Sequence, residues 1–251
     1  LISGQEYAGN QLVAKVASEK GFSAIIDEYV YIHPENVENT FNIIPNSAEF
    51  IHGTGIDLGG GVGCISSTLA KRQNVEKIYC IELVEEAVTM CQPIVKKEIL
   101  KENDDKVISV VGDFDNLDLE NNSIDFAVSW DSMHHSMDLI NTLKECKRVL
   151  KKNGVFIIVD RAHNNSTPDS EIERMLNIVY DEKFLTKFYR PKDMILTRRE
   201  NGEHEHRFFE WDKFFDGSGF KLIDCMVIKT ESDENRKLKN DNNVKEVFVN
   251  Y

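Results

Sequence analysis

The chain has 251 residues, room for one α/β domain with a sizeable core, and carries 43 acidic against 30 basic side chains, a formal charge of -13. That balance excludes a protein whose main affinity comes from neutralising nucleic-acid phosphates, and any anion it binds must be met by a local basic cluster. No apolar run approaches the length of a membrane span; the longest, such as "VFIIV" from Val155, match a buried strand.

The five cysteines, Cys64, Cys80, Cys91, Cys146 and Cys225, are scattered without a CxxC pair and mostly sit inside apolar runs. Buried free thiols in a reducing cytoplasm are the expectation. The chain opens at Leu1 with neither an initiator Met nor a charged-then-apolar leader, as a trimmed fragment would rather than a secreted precursor.

Helical spacing in "NQLVAKVASEKGFSAIIDEYV" predicts a helical lead-in over residues 1–52, ending in a stretch punctuated by Pro34 and Pro45. From Gly53 a short apolar run, a glycine turn and an amphipathic helix with Val62, Ile65 and Leu69 on one face make a first βα unit. Strand "KIYCIE" and a helix from Glu85 to Lys101 follow, then strand "KVISVVG" running into Asp113, strand "SIDFAVSW", helix "DLINTLKECKRVLKK", and strand "GVFIIVDR" introduced by a helix-ending Asn153-Gly154 pair.

Strands alternating with helices of this length imply a parallel sheet covered on both faces. Residues 162–207 break the regularity with polar clusters and one helix, "SEIERMLNIVYDEKFL", which predicts a lid inserted after strand 5 over the carboxyl ends of the strands. A helix around "EWDKFFDGSGF", strand "KLIDCMVIKT", a polar loop "ESDENRKLKNDNN" and a last antiparallel strand "VKEVFVNY" complete residues 208–251. The expectation is one Rossmann-like α/β domain with a seven-stranded, mostly parallel sheet: cap 1–52, core 53–161, lid 162–207 and the remaining sheet 208–251.

The glycine turn "GIDLGGGVGCISS" narrows the ligand. A dinucleotide fingerprint needs GxGxxG, but counting from Gly59 the third position is Cys64, and from Gly61 it is Ser66. A phosphate-binding GK[ST] is also missing. What stands there is Asp57, then Gly59, Gly61 and Gly63 on alternate positions.

This pattern resembles motif I, (D/E)xGxGxG, of the class I S-adenosylmethionine-dependent methyltransferases. Three further segments match that family. Glu82 ends the second strand, 19 residues beyond Gly63, where an acid accepts hydrogen bonds from ribose hydroxyls. "VVGDFDNLDLENNSIDFAVS" is similar to the segment in which the acid, here Asp113, faces the adenine amino group and the next residue, Phe114, lines the ring. "LKECKRVLKKNGVFIIVD" resembles LxExxRVLKPGGxxxxxD, with Lys152-Asn153 in place of Pro-Gly.

The resemblance covers residues 53–161 and implies S-adenosylmethionine as cofactor, a small-molecule acceptor, and neither a membrane nor a nucleic-acid partner. It places Trp130 beside the adenosine or methionine portion, and His134 or His135 at the acceptor, as a base or as a group holding the loop. The paired histidines favour a hydroxyl acceptor over an amine.

A second constellation joins Arg161 and His163 to His204, His206 and Arg207 of the insert, with Arg198 and Arg199 nearby. So many cationic and imidazole groups in an acidic chain imply an anionic or strongly polar substrate, carrying phosphate or carboxylate. His204 and His206 would share one face of a strand and could bind a metal, but no third ligand is predicted, and the expected site contains none. The competing readings are an N-methyltransferase of the same fold, a noncatalytic cofactor-binding subunit, and an NAD-dependent oxidoreductase, which the missing third glycine opposes.

Overall fold

A computed structural model describes residues 4–30, 32–228 and 244–250. Five parallel strands form its centre: β1 (Gly53–Leu58), β2 (Val75–Glu82), β3 (Val107–Val111), β4 (Ile124–Trp130) and β5 (Leu150–Ala162). They are hydrogen-bonded in the order β3-β2-β1-β4-β5. Beyond β5 lie β6 (Leu222–Ile228) and β7 (Val244–Asn250), with β7 antiparallel to both β5 and β6. The polar segment 231–243 lies outside the described residues.

Successive strand residues point to opposite faces, and both faces are covered. Val128, Val155 and Ile157 pack with one set of helices while Ile56, Leu58, Phe156 and Ile158 pack with another. That two-sided burial is why the strands are continuous apolar runs rather than alternating ones.

The first face is covered by α1 (Gly4–Lys20), α2 (Pro34–Ile43), α3 (Ser47–Phe50), α4 (Cys64–Ala70) and α5 (Gln92–Leu100). On the other face lie α6 (Leu139–Val149) and, after α7 (Asp169–Leu176) and α8 (Glu182–Lys187) of the insert, α9 (Phe208–Ser218), whose Trp211 and Phe215 are fully buried.

Several elements depart from expectation for identifiable reasons. The stretch after Pro34 is a helix, because Pro at the first helical position loses no hydrogen bond there. α4 is buried on every side rather than amphipathic, since α2 and α5 cover the side away from the sheet.

The helix expected over 85–101 is divided: Pro93 has no N–H to offer the preceding turn, and the chain widens into a π-helical turn, Ala87–Cys91, before α5. α6 stops at Val149, ahead of Asn153. Leu150 already pairs with Ile124, and Asn153, in the left-handed region at φ 67, belongs to an irregularity inside β5. The single helix expected in the insert is two, because Val179 leaves the helix to bridge Thr197 and the Asp181 side chain caps a new helix at the Phe184 N–H.

Candidate functional site

The sheet order reverses between β1 and β4, which are spatial neighbours fed by connections running to opposite sides. A cavity opens there, outside the carboxyl ends of the strands. Six expected ligand-binding residues line it: Gly59, Gly61, Glu82, Asp113, Phe114 and Trp130. His135 lines it as well, together with Asn10 of α1, Tyr29, Asp131 and Ser132, which the sequence did not single out.

The loop after β1 approaches β4 closely. Gly59 has φ 70, and a Cβ there would lie 2.5 Å from Ser132 Oγ, which itself donates to the Leu58 carbonyl at 2.9 Å. Gly61 also has positive φ, at 52, but a Cβ on it would meet nothing within 4 Å. Gly59 is therefore needed by the fold, while the space above Gly61 is available to a ligand.

Glu82 is the half-buried acid of this loop. Its Oε2 accepts from the Gly61 N–H and its Oε1 from the Val84 N–H, both at 2.9 Å. Burial raises its pKa above the ordinary value, and those two backbone donors oppose the rise. A carboxylate has about four acceptor sites, so both oxygens can still receive a ligand hydroxyl. Asp113 accepts from the Asp115 N–H at 2.9 Å, which fixes the turn presenting Asp113 and Phe114.

Asp57 and Gly63 do not line the cavity. Asp57 is buried behind the loop, where its Oδ2 accepts from Ser66 Oγ at 2.6 Å and its Oδ1 has no hydrogen-bond partner. Burial lifts its pKa to about 7. Gly63, at φ 80, begins α4 and is packed against the Gln92 side chain.

The two adjacent histidines face different ways. His134 is 1% exposed. Its Nδ1 meets Asp160 Oδ1 at 2.6 Å and its Nε2 meets Arg161 Nη2 at 2.6 Å. Arginine can only donate, so Nε2 accepts and the proton sits on Nδ1, shared with Asp160. His135 reaches the cavity wall, and its Nδ1–H donates to the Gly202 carbonyl at 3.0 Å. Burial, then the neighbouring His134, lowers the His135 pKa to about 4, which makes it a neutral imidazole at physiological pH.

The cationic cluster expected to meet an anionic substrate is paired internally. Arg161 contacts Asp131 through Nε at 3.0 Å and Glu203 through Nη1 at 2.9 Å. Burial opposes its charge, but Asp131, Glu203, Asp160 and Glu205 more than compensate. Arg198 pairs with Glu205, whose Oε2 lies 2.5 Å from His163 Nε2. Although burial works in the other direction, His163 and Arg198 hold the Glu205 pKa down at about 2.

Arg207 anchors the insert, pairing with Asp169 and donating to the Thr167 carbonyl at 2.7 Å. His204 donates to the His134 carbonyl at 2.8 Å. His206 packs edge-on to Trp211 and Phe214, and burial lowers its pKa to about 4. His163 and Arg207 thus bind the insert to itself, His204 fastens it to the turn after β4 and His206 to α9, and none of them lines the cavity. Arg161 is not a lining residue, but it pairs with Asp131, which is.

Among the described residues, two groups bring possible metal ligands within 4.8 Å of one another, His134 with His135 and Glu203, and Asp131 with His134 and Asp160. Both need His134, whose ring nitrogens are already engaged by Asp160 and Arg161. The His204/His206 pair belongs to neither group.

The segment that carries the glycine loop resembles known proteins. Residues 56–158 match the methyltransferase domain family model. Over 138 residues the chain is 28% identical to a sarcosine/dimethylglycine N-methyltransferase of Aphanothece halophytica, covering 54% of this chain and 48% of that protein. Over 116 residues it is 30% identical to a norajmaline N-methyltransferase of Rauvolfia serpentina, covering 46% and 38%.

The chain spans about half the length of the curated relatives it matches. Among solved structures, an S-adenosylmethionine-dependent methyltransferase of Leishmania major superposes with a TM-score of 0.65 at 15% identity, over 99% of this chain and 82% of that one.

Proposed function

We propose, from the premise that residues 56–158 belong to the class I S-adenosylmethionine-dependent methyltransferases, that the chain transfers a methyl group to the nitrogen of a small molecule. The observation that carries the nitrogen assignment is His135. It is the imidazole on the cavity wall, fixed by its Nδ1–H on the Gly202 carbonyl, and burial lowers its pKa, which weakens it as a base toward an alcohol. An amine brings its own lone pair and needs no strong base. The relatives named above act, by their names, on amines. The paired histidines that favoured a hydroxyl acceptor lose that force, since His134 points away from the cavity into Asp160 and Arg161.

The cavity fits the cofactor: open space above Gly61, a half-buried carboxylate at Glu82, and Asp113 beside Phe114. Bound S-adenosylmethionine supplies an electrophilic methyl on a sulfonium. Glu82 would accept from the ribose hydroxyls, Asp113 and Phe114 would hold the adenine, and Trp130, packed against Phe41 at 6.1 Å between centroids, would wall the methionine portion. His135, Asp131 and Ser132 then face the acceptor, while residues 162–207 act as the lid that holds His135 through the Gly202 carbonyl and excludes water. Buried free thiols at Cys64, Cys80, Cys91 and Cys146 accord with a cytoplasmic setting.

Incubation with the cofactor and a panel of matched amines and alcohols tests this reading. S-adenosylhomocysteine and an N-methylated product are expected with amines; methylation of alcohols alone would remove the nitrogen assignment, and cofactor binding without turnover on any acceptor would favour a noncatalytic subunit.

The two histidines should separate in the same assay. His135→Ala is expected to leave cofactor affinity within about threefold while turnover falls at least about tenfold, a loss of about 1.4 kcal/mol of positioning at the reacting centre. His134→Ala takes from buried Asp160 its side-chain donor and leaves it only the backbone N–H groups of residues 134 and 161, so it should lower the melting temperature, by an amount corresponding to about 1–3 kcal/mol. Calorimetry and thermal unfolding of both variants check this; loss of stability at His135 with none at His134 would reverse the assignments.

A further inference from the structure

We propose that Gln92 is a positioning residue of the cofactor site: from behind the cavity wall its side chain fixes the backbone of Gly61 in the conformation that receives S-adenosylmethionine. This rests on the reading that the cofactor lies over Gly61, and it is independent of the acceptor.

Gln92 is fully buried and does not line the cavity. Its Nε2 donates to the Gly61 carbonyl at 2.9 Å, while the Gly61 N–H donates to Glu82 Oε2 at 2.9 Å. The two bonds grip the planar peptide units on either side of the Gly61 Cα, one from the start of α5 and one from the end of β2, and so set both of its backbone torsions. Glycine depends on such a restraint more than any other residue, because it visits positive and negative φ about equally. With both planes held, Gly61 sits at φ 52 and the space above it is open. Its neighbours are tied by backbone bonds instead: the Gly60 N–H donates to the Ile81 carbonyl at 2.9 Å and the Gly63 N–H to the Gly60 carbonyl at 2.8 Å.

The path of the chain explains how Gln92 reaches this point. Its own N–H bonds to the Ala87 carbonyl, five residues back, at the end of the π-helical turn Ala87–Cys91. A wider turn rotates everything after it relative to a continuous α-helix. The result is that Ala87 stands on the cavity wall while Gln92 lies against the loop. Gly63 completes the fit, since a Cβ there would lie 3.3 Å from Gln92 Cγ.

A side chain that only filled space would not need the amide. Nε2 must be the end that meets Gly61, because Oε1 in its place would set acceptor against acceptor. Oε1 then has no hydrogen-bond partner among the described residues. A buried polar atom so placed lowers stability, and an apolar side chain of the same length would avoid the penalty. What the amide adds is the bond to Gly61, and a loop ordered in advance spares the ligand the entropy of ordering it.

Gln92→Met keeps the unbranched shape and removes the donor. Calorimetry should show S-adenosylmethionine binding weakened by about tenfold, equivalent to about 1.4 kcal/mol. In steady-state assays the KM for S-adenosylmethionine should rise by a similar factor, with kcat at saturating cofactor within about threefold of wild type. A variant that was merely less folded would lose kcat and keep KM. Gln92→Glu, of the same length but offering the Gly61 carbonyl only acceptors, should bind more weakly still.

Wild type supplies a test that needs no variant to fold. Without cofactor, the Gly61 and Val62 N–H groups should be as ordered on the ps–ns timescale as those of β1, with NMR order parameters of about 0.85. Values below those of β1, or cofactor affinity in Gln92→Met within about threefold of wild type, overturn the proposal. If Glu82→Ala binds weakly in that case, the placement of the cofactor stands and only the role of Gln92 fails; if both variants bind as wild type does, the placement fails with it.

Discussion

Glu82→Ala is expected to weaken S-adenosylmethionine binding by more than tenfold. A hydrogen bond to a charged acceptor contributes about 1.5–3 kcal/mol, and each 1.4 kcal/mol is about tenfold in affinity, so even one lost ribose contact reaches that threshold. The structure adds a second reason. Glu82 also receives the Gly61 and Val84 N–H groups at 2.9 Å, so its removal strips two backbone donors of their acceptor and loosens the loop that forms the cavity floor.

Glu82→Gln should fail in the same direction, because its amide NH2 would oppose one of those N–H donors. Isothermal titration of both variants is the check. Affinity unchanged in Glu82→Ala would end the ribose assignment. Because burial raises the Glu82 pKa, wild-type affinity should also fall on acidification before an ordinary glutamate would protonate.

The parts of the site that sequence could disclose are those fixed by backbone geometry. Gly59, Gly61, Glu82, Asp113 and Phe114 sit where one strand end or one tight turn places them, and the alternation of strand and helix determines those ends. Their spacing is therefore legible along the chain. The rest of the cavity wall is assembled from segments distant in sequence: Asn10 and Tyr29 from the N-terminal region, and Asp131 and His135 after β4, with Gly202 of the insert holding His135.

Nothing in the first fifty residues marks Asn10 or Tyr29, because helical periodicity reports which face is apolar and not which residue meets a ligand. Arg161, Arg198 and Arg207 show the complementary error. Their positive charge is visible in the sequence, but the partners that consume it, Asp131, Glu203, Glu205 and Asp169, become adjacent only in the fold. The sign of a cluster cannot be read from its basic members alone.

Asp57 poses the opposite problem, an acid matched to a family motif that the structure places behind the loop rather than in the cavity. Its burial raises the pKa from 3.8 to about 7. The folded state therefore binds more protons than the unfolded chain between about pH 4 and pH 7, and stability falls as pH rises through that window. At 1.36 kcal/mol per unit the full cost is about 4 kcal/mol.

Asp57→Asn removes the titration but puts an amide N–H where Oδ1 lacks a partner, a penalty of about 1–3 kcal/mol. The net expectation is a variant more stable than wild type by about 1–3 kcal/mol above pH 7, with the advantage shrinking to nothing or reversing near pH 4, where wild-type Asp57 is neutral. Urea unfolding of both proteins at pH 4, 6 and 8 measures the difference directly, and stability curves that remain parallel across that range would contradict it.

A chain that keeps a destabilising buried carboxylate beneath the loop gains a negative potential under the place where a sulfonium and an ammonium would lie. Asp57→Asn should accordingly lose a few-fold in cofactor affinity, less than Glu82→Ala, because the charge acts through the loop and not by contact. A loss equal to that of Glu82→Ala would instead place Asp57 in direct contact with the cofactor.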